Sequence, residues 1–161
     1  GRVYAIGRIG VLVPQGSVLA ADGSLMDLAA ALKAGRVRRF AIANPDHAPY
    51  GMRAREALQH AGLWSAIQPH LVLGENVSQA AQFATSGAAD GGIVALSLAR
   101  VPELMRRARF DLIDAGWHRP LRQRVVLLRD APPVLRALYE HLATPAAMAV
   151  LKAYGFEVAG G

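Results

Sequence analysis

No cysteine occurs in the 161 residues. Its absence removes disulfides, thiolate zinc sites and cysteine nucleophiles together, and it fits an exported chain as well as a cytosolic one. Aromatic residues are scarce at 6%, and lysine is scarcer: Lys33 and Lys152 are the only two among 18 basic residues. No apolar run reaches the roughly 18 residues of a membrane span. The strongest candidates, 93–99 and 125–128, are strand-sized. Histidines stand at 47, 60, 70, 118 and 141, without the one-turn spacing of a metal site. The serines at 17, 24, 65, 78, 86 and 97 sit in no Gly-x-Ser-x-Gly elbow. Glu75 and Asp90 invite reading as an acid/base pair, but nothing in their spacing supports it. The glycine-rich run 87–92 lacks the Gly-Lys-Ser/Thr ending of a phosphate loop and precedes a strand where such a loop follows one. Neither an enzyme nor a cation-binding protein is expected.

What remains is a globular composition, 53% apolar and 19% charged, long enough for one domain with a real core and short for two. The net charge of +6 permits nucleic acid, acidic surfaces or anionic ligands as partners. Three arginine clusters, 36/38/39, 106/107/109 and 119/122/124, flank strands. They come without a recognition helix or stacking aromatics, so they read as solvated edges or a protein-docking surface and no nucleic-acid partner is expected.

Strand and helix signals alternate along the chain. Residues 3–13 form an extended apolar stretch broken at Gly7 and Gly10. Ser24 is placed to open a helix with Asp27 as its capping-box partner and Gly35 as its C-terminal stop. A buried strand at 39–43 leads through a proline-rich loop to a helix from Pro49 to about Ala61, stopped by Gly62. A strand at 71–73, a helix over 77–85 closed by Gly87, and a strand at 91–96 follow. Then come a short helix at 102–107, strands at 110–113 and 124–128, and helices at 133–142 and 146–154, the last with Thr144 as N-cap and Pro145 behind it. Strands separated by helices of this length predict an α/β fold with a largely parallel sheet.

Two strand-to-helix junctions stand out, because ligands of α/β sheets bind where strands end and helices begin. After the strand ending at Ala43, Pro49 at the first helical position leaves Tyr50 and Gly51 with free N–H groups. Gly51 also permits close approach of a ligand. After the strand ending at Leu73, Asn76 is a good N-cap and Gln79 its reciprocal partner, leaving the N–H groups of Val77 and Ser78. Two such ends aimed at one point would make an anion site without lysine or arginine. Two ordinary capped helices beside an empty loop fit the same residues.

Several segments, taken in order, resemble one family. Residues 41–45, 48–51, 56–58 and 62–64, then 73–80 and 91–97, are similar to the second lobe of periplasmic molybdate-binding proteins. Residues 4–7 resemble the first crossover strand of that family, 120–123 the returning one, and 144–156 its last helix. The resemblance implies the type II periplasmic-binding-protein fold, with residues 14–120 as one complete anion-binding lobe. Residues 1–13 and 121–161 would be the crossover strands and C-terminal helices of a partial first lobe, whose N-terminal part is missing.

The function so implied is capture of molybdate or tungstate for an ABC importer, by a periplasmic protein whose export leader is not in this chain. The resemblance names the backbone N–H groups of Tyr50 and Val77 as second-lobe donors, beside Gly51 and Ser78, with no cofactor and no basic side chain on the oxyanion. Some members add a tyrosine hydroxyl at the position of Ala95, which this chain lacks. The same fold also serves as the ligand-sensing domain of transcription regulators, the alternative function. The partners expected are the oxyanion and a membrane permease, the chain itself not being membrane-embedded.

Overall fold

Three runs without a single charged side chain, 9–14, 40–43 and 91–95, make the centre of the larger of two sheets. The computed structural model describes residues 1–158. Its elements are β1 (Arg2–Gly7), β2 (Ile9–Pro14), α1 (Met26–Lys33), β3 (Phe40–Ala43), α2 (Pro49–His60), α3 (Trp64–Ile67), β4 (Leu71–Gly74), α4 (Val77–Thr85) and β5 (Gly91–Ala95). After these come α5 (Leu96–Ala99), α6 (Pro102–Met105), β6 (Ala108–Leu112), β7 (Leu121–Val125), α7 (Pro133–His141) and α8 (Pro145–Ala153). The last three residues of the expected 121–161 segment lie outside the described residues.

The five-stranded sheet has the order β4-β3-β5-β2-β6, and β1 pairs with β7 in a separate two-stranded sheet. β3 pairs in parallel with β4 and with β5, whereas β2 lies antiparallel to both β5 and β6. Four of the five strands therefore share one direction and β2 opposes them. The extended stretch 3–13 is two strands, because the chain passes from one sheet to the other at Arg8. That arginine is held by Glu157 (2.9 Å) and by the Ile113 carbonyl (3.2 Å).

Alternation within the strands distributes the core. Ile9, Val11, Val13, Phe40, Ile42 and Ile93 point to the layer of α1 and α2, where they meet Leu28, Ala31, Ala54 and Leu58. Leu12, Ala41 and Val94 point to the other face, covered by Ala80, Ala81 and Ala84 of α4. Each large buried side chain contributes about 1.5–3 kcal/mol. The small alanine face lets α4 lie close on the sheet.

Local chemistry places most helix ends where the sequence does. Gly35, at φ 67°, ends α1 with Arg36 N–H bonded to the Ala31 carbonyl (2.9 Å). Thr144 caps α8 through Ala147 N–H (3.3 Å). The start of α1 differs from the Ser24 cap expected. The acceptor is Asp22, two residues earlier, whose carboxylate takes the Ser24 hydroxyl (2.6 Å), Ser24 N–H (2.9 Å) and Asp27 N–H (3.0 Å). A carboxylate offers more acceptor sites than a hydroxyl, and the Ser24 hydroxyl and Asp27 N–H hold its pKa below the usual range. The strand expected at 124–128 is also displaced. β7 spans Leu121–Val125 because β1 supplies its partners only from Gly7↔Leu121 to Arg2↔Val125.

The segment leading into β7 is strapped along α2. Trp117 stacks on His60 with centroids 4.8 Å apart, and Arg119 donates its backbone N–H and its Nε to Glu56, both at 2.8 Å. Partial burial pushes the Glu56 carboxyl up, but the Arg119 bonds and the charges of Arg53 and Arg119 outweigh it and leave the pKa lowered. A lowered folded-state pKa gives stability that is full above the unfolded value and is lost as pH falls through the folded one. Glu56→Gln should therefore cost about 1–2 kcal/mol at pH 7, or roughly 2–8 °C in melting midpoint. The gap to the parent should close below about pH 4 in a pH series of thermal melts.

Candidate functional site

Two four-residue strands end level in the sheet. β3 and β4 pair from Phe40↔Leu71 to Ala43↔Gly74, and Asn44 N–H donates to the Gly74 carbonyl (2.7 Å) just beyond the last pair. α2 follows one strand and α4 the other, so both helices start at the same sheet edge. The loops before them also touch: His47 Nε2 lies 3.5 Å from Glu75 Oε2.

Each helix start leaves donors unused. In α2 the N-cap, Ala48, is extended and has no capping side chain, and Pro49 has no N–H. The first bond belonging to the helix runs from Met52 N–H to the Ala48 carbonyl (3.0 Å). Tyr50 and Gly51 N–H therefore have no acceptor among the described residues. In α4, Asn76 Oδ1 takes Gln79 N–H (2.9 Å), and Gln79 Oε1 takes Glu75 N–H (2.8 Å). The reciprocal bond thus lands one residue earlier than in a standard capping box. Val77 and Ser78 N–H have no acceptor among the described residues. The structure thus brings all four predicted donors, Tyr50, Gly51, Val77 and Ser78, to one edge, each at the positive end of a helix dipole.

The side chains at these positions have other work. Tyr50 is half-buried with its phenol against Gly7 of β1, and a Cβ there would stand 3.1 Å from Cζ. Desolvation, with Tyr4 adding to it, pushes the Tyr50 pKa up, so the hydroxyl keeps its proton. Gly51 packs its Cα onto the Ala43 carbonyl, where a Cβ would overlap backbone atoms. The space it saves lies on the strand side of the helix. Ala95 is buried at the end of β5, where the next N–H, of Leu96, is used by the Arg8 carbonyl (2.9 Å).

Two contributors escaped the sequence reading. Asn44 shapes the first loop by accepting Asp46 N–H on its side chain (3.0 Å) and Ala48 N–H on its carbonyl (2.9 Å), a signal present in its Asn-Pro-Asp context. The His47–Glu75 contact joins residues far apart in sequence and left no local signal. Among the described residues, no group of three or more histidines and carboxylates is arranged to hold a metal ion. The edge can present hydrogen-bond donors to an anion, and its donors are neutral.

These contacts set the stability of the edge. Asn76→Ala should lower the unfolding free energy by about 1 kcal/mol through loss of the cap. Gly51→Ala should cost more, about 1–3 kcal/mol, because the added methyl meets backbone that cannot rotate away. Urea denaturation of both variants against the parent measures the order.

The family described as bacterial extracellular solute-binding protein matches residues 1–157. The molybdate-binding protein ModA of Azotobacter vinelandii is 35% identical over 155 residues, which is 95% of this chain and 59% of that protein. The ModA of Rhodobacter capsulatus is 30% identical, with 95% and 58% covered. The chain thus spans about three-fifths of the length of these curated relatives. The solved structure of the Azotobacter vinelandii periplasmic molybdate-binding protein superposes with a TM-score of 0.78 at 28% identity, covering 98% of this chain and 68% of that one. PEB3, solved with L-phospholactate, superposes with a TM-score of 0.76 at 13% identity and shares the fold alone. With matched residues running nearly end to end, this chain belongs to the bacterial extracellular solute-binding protein family.

Proposed function

We propose that the chain is the greater part of a solute-binding protein that captures molybdate or tungstate for an ABC importer outside the cytoplasmic membrane, without a cofactor and without catalysing a reaction. The observation that carries this reading is the pair of level helix starts with four unused N–H groups. The relatives named for molybdate add support.

The selectivity follows from donor chemistry. Molybdate and tungstate are fully deprotonated dianions at neutral pH and only accept hydrogen bonds, so a set of donors suits them. Phosphate retains a proton that would need an acceptor, and burying it unpaired costs about 1–3 kcal/mol. Sulfate is compatible with donors but smaller, so the size of the closed site must discriminate against it.

The site is one half of a clamp. In this reading, the donor lobe begins at β2 (Ile9–Pro14), earlier than the expected residue 14 because β2 pairs inside the larger sheet, and runs to residue 120; residues 1–8 and those from 121 on belong to a second, partial lobe. An apolar surface supports the second part. Val126, Leu128, Leu135 and Leu138, 65%, 75%, 48% and 54% exposed, line one groove on and before α7. A contiguous apolar face of this kind marks a surface that something covers. The relatives are long enough to cover it.

Calorimetric titration tests the reading, on this chain and on the chain extended to the relatives' full length. The extended protein should bind molybdate and tungstate, bind sulfate at least a hundred-fold more weakly, and leave phosphate unbound. The affinity should be flat from pH 8 to 9, above the ordinary histidine range, because backbone amides do not titrate there. Gly51→Ala should weaken binding about ten-fold or more through displacement of its amide. Equal heats for phosphate, or none for molybdate, would refute it.

A further inference from the structure

The charge of this chain is segregated. Four loops meet at the amino ends of β3 and β5, the end of the sheet opposite the donor amides. They are 15–18, 33–39, 86–90 and 105–107. Hydrogen bonds join them into one surface. Asp90 Oδ2 accepts the N–H groups of Arg38 (2.7 Å) and Arg39 (3.1 Å), and Ser17 donates to the Asp90 carbonyl. Gln15 binds the Arg107 carbonyl through its N–H (2.9 Å) and the Arg106 carbonyl through its side chain (3.0 Å), and Arg36 reaches the Val18 carbonyl (3.2 Å).

This pole carries Lys33, Arg36, Arg38, Arg39, Arg106 and Arg107, all exposed, against one acid, Asp90. It therefore holds five of the six surplus charges; the other twelve cations and eleven acids of the chain nearly cancel. Asp90 is committed to the loop backbone, and its one guanidinium contact, to Arg38 Nη2, is 3.9 Å long. Among the described residues the side chains of Lys33, Arg39, Arg106 and Arg107 have no acid partner.

We propose that this basic pole is a docking surface for an anionic lipid bilayer. Unpaired cations spread over several loops are what a negatively charged surface attracts, and each contributes independently. A specific protein partner would want a large aromatic anchor at the centre of the patch, and the exposed apolar side chains of these loops, alanines apart, are the small Val18 and the flexible Met105. The four loops carry no aromatic residue, which also removes the stacking platform for single-stranded nucleic acid. Docked by this pole, the protein would hold its donor edge facing away from the bilayer.

The test is co-sedimentation of the 161-residue chain with phosphatidylglycerol-containing vesicles and with pure phosphatidylcholine vesicles, at low salt and at about 0.5 M NaCl. Binding to the anionic vesicles alone, lost at high salt, is expected. Arg38→Glu with Arg107→Glu should lower the partition roughly a hundred-fold or more, since each cation is worth about five-fold. Arg36→Glu with Arg106→Glu should do the same and guards against misfolding of the first variant through the Asp90 contact. Arg122→Glu with Arg124→Glu, exposed on β7, changes the net charge equally and should reduce it only a few-fold. Equal loss in all three variants would show a mere net-charge effect and overturn the proposal. So would no binding to anionic vesicles, or retention on duplex DNA or an acidic protein without binding to them.

Discussion

The register between β3 and β4 is the constraint on which the site depends. A parallel pair with Phe40 beside Leu71 and Ala43 beside Gly74 ends level, and only then do the next helices, one on each face of the sheet, begin at the same end. A slip of one residue would separate the ends by about 3.3 Å and turn every side chain to the opposite face. The side chains forbid it. Phe40 and Ile42 fill the layer under α1 and α2, while Ala41 faces the alanines of α4. Exchanging these faces would leave a cavity on one side and overpack the other. Large-against-small alternation in β3 thus fixes the spacing of amides that belong to neither strand.

A second set of contacts fixes α2 in place. His60 meets Trp117, Glu56 meets Arg119 and Tyr50 meets Gly7, so the length of the helix is tied to the segments through which the chain enters and leaves the larger sheet. The donors at its first turn are held before any ligand arrives. Groups fixed in advance lose less freedom on binding, and this is how weak neutral donors can contribute usable affinity.

The elements written in local chemistry were legible from the sequence, and those set by pairing were not. Asn76, Pro49, Gly35 and Gly62 mark helix ends through capping, ring geometry or left-handed backbone, and all of these act within a few residues. The unused amides were legible for the same reason, since a helix start must leave them. That they share one edge was not, because it rests on Ala43 pairing with Gly74 across 31 positions. The range of β7 was misplaced because β1, more than a hundred residues away, decides where it stops. The four-residue helices α3 and α5 are too short to show a period. Asp22 takes Asp27 N–H at the start of α1 while Ser24 keeps a longer contact with Met26 N–H, and an acceptor five residues before its donor lies outside the capping-box spacing.

In an arginine-rich chain, a donor edge without lysine or arginine among its junction residues fits the specificity proposed for it. The polar side chains of the two junctions are Asn44, Asp46, His47, Glu75 and Asn76. Arg53, one turn along α2, is paired with Glu56, and Arg8 at the crossover is committed to Glu157 and Ile113. A guanidinium at the edge would bind any anion strongly and would discriminate little between a dianion and one that keeps a proton. Neutral amides sense the difference, because a proton on the ligand leaves a donor facing a donor. The surplus cations lie beyond the far ends of the strands, about 13 Å of β3 away. At physiological salt that exceeds the screening length of about 8 Å. Attraction to an anionic surface at one pole and recognition of an oxyanion at the other can therefore operate in one small domain without either altering the other.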